Sequence, residues 1–577
     1  MRLFLILSAC LLSQSAEARA RPAAPGGGMV SAADPRAAAA GVEMLRAGGS
    51  AADAAIATML ALNVVEPQNS GIGGGGFMVY QSMRAAVPVT FDGREAAPMA
   101  ADAKWFYAPD GTPLSHNAAV PGGRSVGVPG NLRMMALAHR RLGKLAWARL
   151  FDPAIRLARD GFAISPRLRT GLTNFAAHID APTRARFFAD GVALRAGTII
   201  RNPEQAALLQ AIATHGPDYF YVGPPAEALV ATVNGAARNP SRMTRGDLAS
   251  YDAKERAPIC GTYRVYRICG MGPPSSGGVA VLTILKQLER FDMAGMGKDS
   301  PTAWHLLAES ERLAYADRDQ YLADTDHVAV PITGLLDPRY IAARSALISP
   351  DRTMAMVTAG QPSGAPSRVR APVSEVPGTS DLVAVDGKGN VAEVTTTIEG
   401  YFGSGLSISG TMLNNELTDF DIVPVQDGSL VANRVEGGKR PRSSMSPTIV
   451  YDRRGQVRIA LGAAGGSTII AQVAKALVAV LDWHMPAQQA IALGLVYAPG
   501  RIALLEQGTQ LEAMAPALRD LGETVRVMPM GLKANAIERV GGRWVGAADP
   551  RSEGVAMGED GSVTEIARVG PGFRPPE

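Results

Sequence analysis

The sequence predicts an α+β protein, and three observations lead there. The 577 residues are 47% hydrophobic and 19% charged, a composition that supplies a core and is unlike that of a disordered chain. Up to about residue 345, stretches with helical spacing of apolar residues dominate. Beyond residue 378 the texture changes to alternating β-branched residues around short turns. The formal net charge of +4 is small, and no lysine or arginine run carries interleaved aromatics, so nucleic acid is not an expected partner.

Taken in order, the chain begins with Met1-Arg2, an apolar run from Leu3 to Leu12, and small residues ending in Ala18-Arg19-Ala20. Residues 1-20 therefore read as a secretory signal, too short to span a bilayer. Periplasmic or secreted export is the expectation. Leu7-Ser8-Ala9-Cys10 resembles a lipoprotein signal box, which gives a lipid anchor through Cys10 as the second address. No other stretch is a candidate membrane span: the best, Ile469 to Val480, is broken by Gln472 and Lys475.

Asp34 to Arg46 reads as a helix stopped at Gly48-Gly49, and Ser50 as the cap of a second helix running to about Asn63. The run Gly71 to Gly76 formally contains GxGxxG. A strand, Phe77 to Tyr80, follows it where a dinucleotide site needs a helix, so the glycines read as a tight backbone crossing. Helical patterns cover Leu132 to Leu142, Glu204 to His215 and Thr302 to Tyr321. Ile259 to Cys269 reads as two short strands around a turn near Arg264-Val265, with Cys260 facing Cys269. In an oxidising compartment the pair is either a disulfide or two unbridged buried thiols.

Gln361 to Gly378 carries Pro362, Pro366, Pro372 and Pro377 and reads as a mobile linker. Directly after it comes a hairpin, Leu382 to Asp386 and Val391 to Ile398, around Gly387-Lys388-Gly389-Asn390. A four-residue turn pairing Asp386 with Val391 sets Thr379 opposite Ile398, one residue from Thr397. A hydroxyl there, just after Pro377-Gly378, is suited to attack on its own upstream carbonyl. The freed α-amino group, with a reference pKa of about 7.7 to 8.0, could then act as general base for the threonine hydroxyl. The seven histidines lie outside the Gly- and Ser-dense segments, and no G-x-S-x-G elbow is present.

Three clusters downstream have complementary chemistry. Glu416 and Asp419, three residues apart, suit a ligand ammonium, while Ser443 and Ser444, after Lys439-Arg440, suit a carboxylate. Val457 to Leu461 reads as a strand, Gly462 to Gly466 as a bare loop, and Ser467 to Trp483 as a helix whose entrance suits an anion or oxyanion.

In this order the motifs resemble the γ-glutamyltranspeptidases, also called glutathione hydrolases, of the N-terminal nucleophile (Ntn) hydrolase superfamily. The resemblance spans Gly48 to Ala57, Gly71 to Phe77, Phe91 to Pro98, Gly127 to Gly130, Pro273 to Gly278, Gly378 to Phe420, Lys439 to Thr448, Gly462 to Ile469 and Ala547 to Arg551. It implies a four-layer αββα sandwich cut autocatalytically at Gly378-Thr379. The products are a large subunit, residues 21-378, and a small catalytic subunit, 379-577, which form a heterodimer. By matching position it implies Thr379 as nucleophile, Thr397 as its assistant, and the backbone of Gly465 and Gly466 as oxyanion hole. Arg94, Ser443 and Ser444 fall on the α-carboxylate contacts of the substrate, Glu416 and Asp419 on its α-amino contacts.

The implied partners are a glutathione-like γ-glutamyl donor and water or an amino-acid or dipeptide acceptor, with no cofactor. Glu399 departs from the family's asparagine at the amino-acid head, Asp381 from a common histidine, and Ile491 to Pro499 loses its usual basic and aromatic character. Asp421 to Gly438 matches the lid. The alternatives are a related acylase for glutaryl or cephalosporin-type groups, a poly-γ-glutamate hydrolase or transferase, and a non-catalytic binding protein.

Overall fold

The computed structural model describes residues 27-371 and 378-564. The signal-peptide expectation, Cys10, and the part of the linker from 372 to 377 lie outside those residues; the part from 361 to 371 carries no helix or strand.

In chain order the strands that build the body are β1 (Met29–Ala32), β2 (Gly75–Gln81), β3 (Val89–Asp92) and β4 (Lys254–Arg256). Next come β5 (Ile259–Tyr263), β6 (Tyr266–Gly270), β7 (Thr379–Val385) and β8 (Val391–Thr397). The last are β9 (Thr448–Tyr451), β10 (Val457–Ala464), β11 (Lys533–Val540), β12 (Arg543–Ala548) and β13 (Val555–Gly558). They form two antiparallel sheets, ordered β13-β1-β7-β8-β2-β3-β4 and β12-β11-β10-β9-β6-β5. The sheets lie face to face, β7 and β8 against β10 and β11.

Helices cover both outer faces, which completes the four-layer αββα sandwich. On the first sheet lie α1 (Pro35–Arg46) and α2 (Ala51–Val65). Asp34 caps α1, accepting from the backbone of Arg36, and Ser50 with Asp53 forms a reciprocal capping box for α2. Every residue of α2 is buried, as expected for a helix apolar on all sides. On the second sheet lie α3 (Gly277–Leu288) and α5 (Thr468–Leu481), with α4 (Pro301–Tyr321) packed on α3.

The glycine run at 71-76 is the tight crossing expected. A Cβ on Gly74 would sit 2.0 Å from the Thr397 carbonyl oxygen, and one on Gly73 2.1 Å from that of Met412. The cysteine hairpin also forms as β5 and β6, with Cys260 opposite Cys269 and joined to it by a disulfide.

Two local expectations need correction. Val385, not Asp386, pairs with Val391, so Thr379 lies directly opposite Thr397 rather than Ile398. The reason is the Asp386 side chain, which accepts from the backbone of Lys388 and Asn390 and makes its residue part of the turn. Strand β10 also runs three residues further than read, to Ala464, because Gly462 to Ala464 pair with Lys533 to Asn535. Only Gly465, Gly466 and Ser467 are then left to turn the chain into α5.

Candidate active site

The end of β7 and β8 brings three groups of the hairpin into one chain of hydrogen bonds. Thr379 Oγ1 donates to Thr397 Oγ1 at 3.3 Å, and Thr397 Oγ1 donates to the carbonyl oxygen of Gly378 at 2.7 Å. The backbone N–H of Glu399 donates to the same Thr397 oxygen at 2.7 Å. One hydroxyl therefore touches both a candidate nucleophile and the carbonyl of the bond that precedes it. Glu399 holds this position with φ of 73°, a conformation unfavourable for a residue with a Cβ and found most often where function constrains the backbone.

Around Thr379 a pocket is lined by Arg94, Thr397, Glu399, Glu416, Asp419, Ser443, Ser444, Met445, Gly466 and Ile469. Of the residues expected at the site, only Gly465 and Gly378 do not line it. Gly465 lies one residue behind Gly466, and Gly378 holds its carbonyl against Thr397. Gly465 and Gly466 have φ of 138° and 58°, so the turn into α5 is one that side chains would strain. The pocket volume is about 20 Å³, which is room for about one water.

Arg94 sits between the two carboxylates, its guanidinium bonded to Glu416 and Asp419 and to the carbonyls of Pro441 and Arg442. Burial disfavours the Arg94 cation, but the two carboxylates outweigh it and hold it above its ordinary pKa. Burial also pushes the Glu416 carboxyl well up, with repulsion from Glu95, Asp419 and Glu399 working against the pull of Arg94. Glu95 is pushed up to about 8, again chiefly by burial. One cation thus faces several acids, and the protons that Glu95 and Glu416 hold are ones a ligand's positive group would displace.

The serines provide the opposite chemistry. Ser444 Oγ accepts from Arg318 at 2.6 Å, and Ser443 Oγ accepts from the backbone of Met445 at 3.1 Å. Each oxygen is engaged by a protein donor, so each O–H is oriented to donate elsewhere, as a ligand carboxylate requires.

Sequence reasoning missed Glu95 and Arg318. Arg318 donates also to Ser276 Oγ at 2.8 Å and to Asp319 at 3.0 Å; it lies in a helix whose buried residues include several other charges, so no sequence signal singled it out. Asp381 lies outside the pocket, between the sheets: a Cβ on Gly462 would sit 2.2 Å from its Oδ2 and 2.1 Å from Glu393 Oε1. Among the described residues, a metal-like grouping occurs at His305, Glu309 and Glu523. Arg312 bonds both glutamates there, and both ring nitrogens of His305 are engaged, so the grouping already holds its cation.

The family model described as Gamma-glutamyltranspeptidase matches residues 37–559. The glutathione hydrolase proenzyme of Bacillus subtilis (strain 168) is 35% identical over 546 residues, covering 92% of this chain and 91% of that protein. The Acylase ACY 1 proenzyme of Pseudomonas sp. (strain SE83) is 34% identical over 570 residues, covering 96% and 97%. Among solved structures, a cephalosporin acylase from Bacillus halodurans superimposes with a TM-score of 0.81 over 96% of this chain and 99% of that one. At 24% identity that likeness speaks to the fold.

Proposed function

The chain belongs to the gamma-glutamyltranspeptidase family, and from that premise we propose that it cuts itself at Gly378-Thr379 and then transfers or hydrolyses γ-glutamyl groups through Thr379. The observation that carries this reading is the Thr397 hydroxyl, set between the Thr379 hydroxyl and the Gly378 carbonyl.

In the intact chain, Thr379 Oγ1 attacks the Gly378 carbonyl carbon while Thr397 donates a hydrogen bond to the oxygen as it gains charge. The carbon-nitrogen bond breaks, the Thr379 nitrogen takes the hydroxyl proton, and water hydrolyses the resulting ester. In the mature enzyme the freed α-amine takes the Oγ1 proton, and Oγ1 attacks the γ-carbonyl carbon of the donor. The backbone N–H groups at Gly465 and Gly466 stabilise the oxyanion. The departing amine leaves with the proton. Water or an acceptor amine then attacks the acyl carbon, the bond to Oγ1 breaks, and a proton returns to Oγ1 through the α-amine.

The glutamyl head is held by opposite charges at one end, its ammonium by Glu416 and Asp419 and its carboxylate by Ser443 and Ser444, with Arg94 completing the set. Export through the signal at residues 1-20 and assembly of subunits 21-378 and 379-577 belong to the same reading. Thr379→Ala is expected to leave a single uncut, inactive chain on a denaturing gel, whereas the parent gives two bands, the smaller starting at Thr379 by N-terminal analysis.

A second reading, an acylase for side chains lacking the α-amino group, is favoured by the acylase-named relative. Parallel turnover of a γ-glutamyl amide and the matching glutaryl amide separates the two: a preference for the glutaryl compound overturns the γ-glutamyl assignment.

A further inference from the structure

The wall formed by Glu399, Gly400 and Tyr401 has two sides. On one side Glu399 lines the nucleophile's pocket. On the other, the same three residues line a cavity of about 300 Å³ together with Val120, Phe175 and Arg238, at the lower end of the usual range for small-ligand sites. The rings of Phe175 and Tyr401 stack there at 5.0 Å with an interplanar angle of 5°. Both are partly exposed, as are the cavity's His178 and Arg238. This apolar cavity with one cation at its edge has no part in holding an acyl head, whose contacts all lie at the Arg94 and Ser443 end.

Gly378 separates the cavity from the nucleophile. A Cβ on Gly378 would sit 2.3 Å from the Glu399 carbonyl oxygen, 2.8 Å from Gly400 and 3.0 Å from the Tyr401 nitrogen. The residue therefore packs flat against the wall, bonded to the nitrogen of Thr379. When the bond is cut, that nitrogen becomes the amine that delivers a proton to the leaving group and takes one from an acceptor. The amine half of any substrate must therefore lie beside the Thr379 nitrogen, in the space that Gly378 fills in the uncut chain.

The geometry points to this cavity as the subsite for the amine half of the reaction. It takes an amine, leaving or accepting, that bears an aromatic or branched apolar side chain and a carboxylate. The side chain lies against the Phe175-Tyr401 stack, the carboxylate faces Arg238, and the Glu399 carboxylate draws the incoming ammonium toward Thr379. The inference rests on Thr379 as nucleophile and adds to that reading the chemical class of the amine.

The test compares amides that differ only in the amine. Release of the acid from γ-glutamylphenylalanine and γ-glutamylglycine is measured with the mature enzyme, and the glutaryl pair is run alongside, so that the amine preference is read on whichever acyl head is accepted. The parent is expected to favour the phenylalanine compound. Tyr401→Ala is expected to lower kcat/KM for that compound about tenfold while changing the glycine compound by less than about twofold. Tyr401→Phe, which keeps the stack, is expected to behave as the parent, which guards against a mere folding defect. Arg238→Gln is expected to abolish the preference for phenylalanine over phenylalaninamide as the amine. Equal losses on the phenylalanine and glycine compounds, or no loss on either, would overturn the subsite. Turnover of glutaryl but not γ-glutamyl compounds would overturn the acyl assignment alone.

Discussion

Thr397 serves three neighbours through one oxygen atom: it accepts from Thr379 Oγ1 and from the Glu399 backbone, and donates to the Gly378 carbonyl. A hydroxyl so held cannot be replaced by shape alone. Thr397→Val keeps the β-branched outline in the strand but removes the donor to the carbonyl. Self-cleavage of that variant is expected to slow by about 10²–10³-fold, the usual cost of losing one oxyanion donor, followed as the disappearance of the full-length band with time. Cleavage at the parental rate would remove Thr397 from the mechanism. Glu399, φ 73°, gives this arrangement its backbone donor, a contact that is independent of the side chain it presents to the pocket.

At the scale of strands and helices, the hairpin was legible from its turn residues and β-branched alternation, yet its register was read one residue out. Counting along the chain cannot see that the Asp386 carboxylate would bind the turn's own backbone. The end of β10 was read short for a related reason: Gly462 to Ala464 have weak strand preference, and only pairing with β11 makes them a strand. The motifs near Glu416, Ser443 and Gly465 were legible as chemistry. Their convergence with Arg94 was known only through resemblance, since more than 300 residues separate them. Glu95 and Arg318 were not legible, because a single buried charge is indistinguishable in sequence from an exposed one.

The same strands yield a pH dependence. Asp381 on β7 and Glu393 on β8 meet over Gly462, buried, with Thr395 Oγ1 donating to Asp381 at 2.9 Å. Lys533 from β11 pulls on Asp381 but is already paired with Glu66, beyond α2, at 2.9 Å. Burial pushes Asp381 up to about 7 and Glu393 well above its ordinary range. An unfolded aspartate titrates near 3.9, so between those values the folded chain keeps a proton the unfolded chain has lost. The stabilisation is complete below about pH 4 and is lost as pH rises through 7. The parent Tm is expected to fall between pH 5 and 8, and Glu393→Gln, whose amide can bond Asp381 without titrating, to fall less by about 2 °C or more. Parallel Tm profiles would dismiss the shared proton.

For the whole molecule, the decisive property is how the two prospective subunits share their sheets. In the first sheet β7 and β8, from beyond the cut, lie between β1 and β2, from before it; in the second, β6 from before the cut pairs with β9 from after it. After cleavage the two fragments are expected to elute as one particle in size-exclusion chromatography and to part only in denaturant. Separation under native conditions would contradict the interleaving.

That interleaving also alters the way back from the unfolded state. While uncut, the polypeptide can regain its sheets as a single chain, at a rate that does not depend on how dilute it is. Once cut, β7 and β8 can return to their places only if two separate chains meet, and neither fragment alone has the neighbours its strands require. Recovery then depends on concentration, and the working life of the mature protein is set by how slowly it opens. Under the proposed cleavage, a molecule of this design completes its folding before it becomes an enzyme, and wears out when it first comes apart.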